Sequence, residues 1–419
     1  MSDLSKQYVV SRSRLEGVVT ISGAKNSVLK LLTASILTSG NVKLDNFPDT
    51  IEDGKIHVDM LRVLGKTCTV SPGSAVINEP DGLSTSLHWE GRSIRNTLLM
   101  LGALVARFGE GAVPLPAGCN LGGRGIDLHE MLLREMGADI WVEDGVLCAE
   151  AKNRLKGKDI RLPIRSTGAT ENAIICGTLA QGTTRVWNPH IRPEVLDLIG
   201  FLKEMGAVIR VYGQQCIEID GVDSLGDVCY SVLPDNMEAI TWLVGSVITG
   251  GDVEIENFPF AHLEVPLIFL RESGAKFFRG EDRLIVRGGT CYPIEISTGP
   301  YPGINSDMQP IFGVYGLCAK GKSHIVDLRF PGRYQYAAEL AKMGAKVEEV
   351  NNLLILEGGV PLVGAEVMAT DLRAGIALAL AGLVADGETV INDGFQIDRG
   401  YDRFESKLKA LGGTVKRVV

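Results

Sequence analysis

The sequence predicts an α/β protein of six repeated units in two domains. Three observations carry this: a glycine series of near-constant spacing, a second series in phase with it, and more apolar material than one core can use. The first series closes a helix in each unit, at VLGKT (Gly65), EMGAD (Gly137), EMGAV (Gly206), ESGAK (Gly274), KMGAK (Gly344) and ALGGT (Gly412). Each glycine stands where a helix end needs a residue that tolerates left-handed φ. The spacings are 72, 69, 68, 70 and 68 residues. The second series, Gly40, Gly111, Gly182, Gly251, Gly321 and Gly387, ends the first helix of each unit and leads at once into a strand (NVKL, AVPL, TTRV, DVEI, KSHIV, ETVI). Each unit therefore reads as a βαβαββ-type repeat: a helix of about twelve residues, a strand, a variable loop, a second helix and two short strands. With 419 residues, 45% of them hydrophobic, the chain exceeds one core and has enough apolar residues for two.

Periodic glycines alone also fit a solenoid scaffold without chemistry. The loops argue for an enzyme. The connection between first strand and second helix grows to PAGCNLGGRGIDLH in the second unit and carries Arg192, Arg333 and Arg399 in the third, fifth and sixth. Variable loops on a regular scaffold are where function is grafted.

Composition narrows the class. A formal charge of −9 disfavours non-specific nucleic-acid binding, so any anion site must be a local cluster of Arg and Lys. The N-terminus has no apolar stretch of signal-peptide length, and the longest apolar run, residues 374–385, is too short to span a bilayer. Eight cysteines lie scattered without CxxC or CxH spacing, which predicts a reducing, cytoplasmic setting and no structural zinc. Six histidines show no HxH or HxxxH pairing, so no metal is expected.

The first helix of each unit opens on SGAKN, GRSIRN, RSTGATEN, LPDNME, NSDMQ or ATDLRA. Helix N-termini favour anions through free N–H groups and dipoles. Asp235, Asp307 and Asp371 read as N-caps at this point; their setting among Arg and Lys is the reason to consider chemistry instead. GLCAKGKS, residues 316–323, satisfies the Walker A pattern, but the repeat places it at a helix end running into a strand, the reverse of a P-loop. Cys119 differs from the other cysteines in standing on a glycine-rich loop five residues before Arg124, where nearby guanidinium favours the thiolate.

TISGAKN at 20–26, LVARFGEGAVPLPAGCNLGGR at 104–124, STGATEN at 166–172, SDMQ at 306–309, ATDLRA at 369–374 and IDRGY at 397–401 together resemble the enolpyruvyl transferases, specifically those acting on UDP-N-acetylglucosamine. The AGC loop separates the chain from the shikimate-pathway members. The resemblance spans the chain. It implies two inside-out α/β domains, helices within and sheets outside: residues 24–232 carrying the Cys119 loop, and 1–23 plus 233–419. It also implies a reaction without cofactor, in which the enolpyruvyl group of phosphoenolpyruvate passes to a sugar hydroxyl and phosphate leaves, the committed step towards peptidoglycan.

By the same resemblance Lys25, Arg124 and Arg399 surround the donor phosphate, Arg333 and Arg373 take its carboxylate, and Asn26 and Arg95 support the bound pair. Cys119 protonates the methylene carbon, and Asp307 takes the acceptor proton. Asp371 either shares that proton transfer or caps its helix and orients Arg373. A doubly anionic donor calls for such fixed cations, and bidentate arginine suits both of its groups. The acceptor contacts implied are Asn26, Arg95, Arg124, Gly125, Ile126, Asp127, Leu128, Ile164, Arg165, Ser166, Thr167, Gly168, Asp307 and Arg329. Several depart from the family pattern: Gly125 stands for proline, Arg165 and Thr167 for small or apolar residues, Arg192 for glutamate, Arg329 for an apolar residue and Gly332 for asparagine. Two acceptors follow. UDP-N-acetylglucosamine fits the catalytic loops, whereas three additional arginines would suit a nucleotide with an exposed terminal phosphate, such as uridine monophosphate. A non-catalytic paralogue would be expected to lose Lys25, Cys119 or Asp307, and all three are present.

Overall fold

The computed structural model describes residues 6–92, 94–116 and 126–418. Cys119, Arg124 and Gly125 lie outside the described residues. The chain divides into two compact units, one of Met1–Ser22, Thr50–Glu52 and Pro234–Val419, the other of Gly23–Asp49 and Asp53–Leu233.

Among the described residues each unit holds three sheets around three buried helices. In the Pro234–Val419 unit these helices are Asn236–Ile248, Gln309–Leu317 and Leu372–Gly382, all but the last residue of the first being buried. Beyond a polar first turn their sequences, such as LRAGIALALAG, are largely apolar on every side, and such a helix is stable only with protein all round it. In the other unit Lys25–Ala34, Thr97–Phe108 and Thr167–Thr178 take the same place. Close packing there depends on Gly102: a Cβ at that position would stand 1.9 Å from Asn172 Oδ1.

The second helix of each repeat is amphipathic, and the strands cover the outside with alternating burial, as in Lys322–Val326, so one sheet face meets the helices and the other meets solvent. This is the inside-out α/β arrangement. Each four-stranded sheet combines antiparallel neighbours with one parallel edge pair. Val42–Phe47, for example, runs parallel to Val228–Ser231 and antiparallel to Gly73–Asn78. The N-terminal strand Gln7–Ser11 lies between Glu388–Asn392 and Thr414–Val418, completing the last sheet of its unit.

All six glycines of the first series have positive φ, from +78° at Gly412 to +116° at Gly65. In the second series Gly40, Gly111 and Gly251 do not; Gly109 and Gly250, one or two residues earlier, take the left-handed conformation in two of those units. The Walker-like segment runs from helix Gln309–Leu317 into strand Lys322–Val326, as the repeat demanded. No helix among the described residues is long and apolar enough to cross a membrane. The seven described cysteines are free.

Candidate active site

The candidate residues fall into two groups, one in each unit. In the Gly23–Leu233 unit, Lys25 is the first residue of its helix, and its N-cap Ala24 makes no side-chain bond. The Lys25 ammonium pairs with Asp53 at 2.8 Å, both side chains buried. Asn26 and Arg95 are half-buried. Beside Arg95, Asn96 Nδ2 donates to Thr33 Oγ1 at 2.7 Å and to His57 Nδ1 at 3.1 Å. Ser166 caps Thr167–Thr178 by accepting from Ala169 N at 3.4 Å. His129, on helix Asp127–Glu135, comes so near Gly168 that a Cβ there would sit 3.3 Å from its Nε2, and its Nδ1 accepts from Asn172 Nδ2 at 3.1 Å. Burial, with Arg95 and Lys30 adding to it, lowers the His129 pKa to about 4. Thr167 Oγ1 lies 2.8 Å from His190 Nδ1. The structure thus gathers Arg95, His129 and Ser166–Gly168, whereas Asp127 and Ile164 are exposed and Ile126 and Leu128 only partly covered.

Two of the arginines expected to add charge are already engaged. Arg192 forms a two-pronged ion pair with buried Glu194 at 2.7 and 2.9 Å, so the pair adds no net charge. Arg165 Nε donates to Asn188 Oδ1 at 3.3 Å. The third, Arg329 in the other unit, is exposed and stacks on Phe330 with 5.0 Å from Cζ to the ring centre. The expected surplus of three charges is therefore corrected for Arg192, whose glutamate partner two residues on cancels it.

In the Pro234–Val419 unit the three aspartates that looked alike behave differently. Asp235 accepts from Met237 N at 2.7 Å and Glu238 N at 3.1 Å; Asp371 accepts from Arg373 N at 2.6 Å and Ala374 N at 2.9 Å. Both are N-caps. Asp307 is not. The helix after it starts later, at Gln309, with Met308 as N-cap and no side-chain cap bond. The Asp307 backbone N–H is itself taken by Asn305 Oδ1 at 2.9 Å. Its carboxylate instead accepts from Arg333 Nη1 at 2.8 Å and lies 3.8 Å from Arg373 Nε.

Arg333 and Arg373 are 6% and 3% exposed. Burial opposes the charge of Arg333, but Asp307 and Asp371 outweigh it and its pKa rises. Burial likewise opposes the charge of Arg373, outweighed by Tyr401, Asp307 and Asp235. Arg333 Nε and Arg373 Nε and Nη1 find no hydrogen-bond acceptor among the described residues. A buried donor left unmade costs about 1–3 kcal/mol, more when charged, and a carboxylate or phosphate would remove that cost. Arg399 is half-buried and donates from Nη1 to Gln396 Oε1 at 3.1 Å. Gly332 has φ +76°, a conformation asparagine also tolerates, so its departure from the family pattern is conformationally mild.

Sequence reasoning missed Asp53, His129 and Glu171. Glu171 carried a usable signal, a carboxylate opening the mostly apolar ENAIICGT; the other two had none beyond residue type. No group of three or more His, Cys, Asp and Glu among the described residues could hold a metal ion.

Residues 9–408 match the family described as EPSP synthase (3-phosphoshikimate 1-carboxyvinyltransferase). The chain is 40% identical over 419 residues to UDP-N-acetylglucosamine 1-carboxyvinyltransferase 2 of Carboxydothermus hydrogenoformans, covering 99% of this chain and 100% of that protein. It is 40% identical over 417 residues to UDP-N-acetylglucosamine 1-carboxyvinyltransferase of Aeromonas hydrophila, again covering 99% and 100%. Among solved structures, the enolpyruvyl transferase NikO from Streptomyces tendae superposes with a TM-score of 0.89 at 24% identity, covering 99% of both chains. EPSP synthase from Acinetobacter baumannii gives 0.76 at 19% identity, covering 98% of this chain and 99% of the other. At these identities the two structures speak to the fold.

Proposed function

The chain belongs to the EPSP synthase family, and from that premise we propose that it transfers the enolpyruvyl group of phosphoenolpyruvate to the 3-hydroxyl of UDP-N-acetylglucosamine, releasing phosphate. The observation that carries the chemistry is the uncapped Asp307, held against Arg333 while its two look-alikes are used as caps. Full-length relatives of that name support the acceptor.

The reaction is an addition followed by an elimination. Asp307 takes the proton of the acceptor hydroxyl as its oxygen bonds to C2 of phosphoenolpyruvate, and Cys119 delivers a proton to C3, which becomes a methyl group. Return of a methyl proton to the Cys119 thiolate then restores the double bond as the C2–O bond to phosphate breaks. General acid–base help of this kind contributes about 10²–10⁴-fold. Arg333 and Arg373 hold the donor carboxylate with the buried N–H groups that otherwise lack acceptors. Lys25, Arg124 and Arg399 hold the phosphate, where fixed charge stabilises the leaving group as it departs. Asn26, Arg95 and the helix start at Ser166–Gly168 hold the acceptor, as does the segment from Arg124 to Leu128. Such an enzyme supplies peptidoglycan precursor synthesis.

With Arg192 neutralised by Glu194, the case for a terminal-phosphate acceptor loses its most buried cation. Phosphate release measured with UDP-N-acetylglucosamine and with uridine monophosphate, at matched subsaturating concentrations, distinguishes the two. The nucleotide sugar is expected to have the higher specificity constant by more than about tenfold, the value of one well-placed charged contact. A preference for the monophosphate would overturn the acceptor assignment.

A further inference from the structure

We infer that Asp327, acting through Ser306, is a positioning residue that fixes Arg333 for the donor carboxylate; the inference rests on the donor-binding role proposed above for Arg333. Asp327 follows strand Lys322–Val326 and has no solvent exposure. Four donors converge on its carboxylate: Thr298 Oγ1 at 2.8 Å, Arg329 N at 2.9 Å and Phe330 N at 2.8 Å on Oδ1, and Ser306 Oγ at 2.5 Å on Oδ2. Its own N–H donates to Tyr334 Oη at 2.7 Å, and its carbonyl accepts from Asn352 Nδ2 at 3.0 Å. One residue thus ties the strand end, the 329–334 turn and the segment before helix Gln309–Leu317 together.

Ser306 is the link to the site. It is 4% exposed and has a single hydroxyl proton. Because that proton goes to Asp327, a lone pair is left for Arg333 Nη1, which donates to Ser306 Oγ at 3.1 Å as well as to Asp307. Only an acceptor-only group can receive all four donors. An asparagine at 327 would put its amide N–H₂ against Ser306 or against the two backbone N–H groups. In the first case Ser306 has to accept from the amide, its proton loses the carboxylate that fixed its direction, and the contact that sets the angle of Arg333 is weakened.

The test uses Ser306→Ala, which cuts the link but leaves three of the bonds to Asp327, together with Asp327→Asn. Michaelis constants for both substrates, kcat and the unfolding midpoint are measured. Ser306→Ala should raise KM for phosphoenolpyruvate about tenfold, the worth of one buried hydrogen bond to a charged group, with the KM of the nucleotide sugar within about twofold. Asp327→Asn should shift the same constant in the same direction and further. A purely structural role would lower the midpoint and leave the Michaelis constants of the folded enzyme unmoved, and that result would overturn the inference. A double-mutant cycle of Ser306→Ala with Arg333→Met, read as unfolding equilibrium constants, needs no substrate. Non-additivity of about threefold or more is expected if the two side chains act together, and additivity contradicts it. An inactive wild type with a non-additive cycle would sink the proposed function and leave the Asp327–Ser306–Arg333 linkage standing. An active wild type with unchanged KM and an additive cycle would do the reverse.

Discussion

Glu171 lies on a buried helix, 2% exposed, with Lys30 Nζ 3.6 Å away. Burial pushes its carboxyl up to about 7 from 4.5; Lys30 and Arg192 work against that rise and Glu194 with it. The folded chain therefore keeps a proton that the unfolded chain gives up between those values. Stability from this group is complete below pH 4.5, falls as pH rises towards 7, and is flat above. Glu171→Gln removes the titration. Urea unfolding at pH 4.5 and pH 7 should show the variant gaining on the wild type as pH rises, by up to about 3 kcal/mol at 1.36 kcal/mol per pKa unit. Parallel pH profiles would show that Glu171 is not held protonated. In the other unit, burial leaves Nε and Nη1 of Arg373 without an acceptor among the described residues, a cost that the proposed donor carboxylate would remove.

At the scale of elements, what distinguishes a cap from a candidate base is where the helix begins. Asp235 and Asp371 immediately precede Asn236 and Leu372, the first residues of their helices, whereas Asp307 sits within a turn and the helix waits for Gln309. LPDNME, NSDMQ and ATDLRA look equivalent in sequence. The difference comes from Asn305, whose side chain takes the Asp307 N–H, and from Arg333, twenty-six residues on, which takes the carboxylate. Such long-range claims are invisible to local pattern. Asp371→Asn keeps a competent cap and loses only the charge that Asp371 sets 3.9 Å from Arg333, while Asp371→Ala loses the cap as well and should cost about 1 kcal/mol more. Equal losses in both variants would mean that the charge, and not the cap, is what Asp371 supplies.

Across the whole molecule, the repeat was legible because each unit must end a helix in left-handed backbone, and glycine marks that requirement: all six stops have positive φ. Strand partners were less legible. Val228–Ser231 pairs with Val42–Phe47 and Glu16–Thr20 with Asp252–Glu256, partners 186 and 236 residues apart, and alternation within a strand says nothing of its neighbour. Thr50–Glu52 goes with the Pro234–Val419 unit, where buried Asp402 accepts from Thr50 N at 3.1 Å and Thr50 Oγ1 at 2.7 Å; no composition shift announces that. For the site, the residue types came from motif resemblance, and the sequence held the arginines without saying which were already paired. Arg192 was readable only once Glu194 was seen to turn back on it.

An enolpyruvyl transferase whose base is Asp307, the one aspartate of three that caps no helix, has a signature readable in a single assay. Phosphate release from phosphoenolpyruvate in the presence of UDP-N-acetylglucosamine is followed for the wild type, Asp307→Asn and Asp235→Asn. Wild-type release should require both substrates. Asp307→Asn should lose at least about a hundredfold in kcat, the lower end of what general base catalysis contributes. Asp235→Asn, the same change at a cap, should stay within about threefold of wild type, since asparagine caps as well as aspartate. Release that is indifferent to the acceptor, or an Asp307→Asn enzyme no slower than Asp235→Asn, would contradict the account.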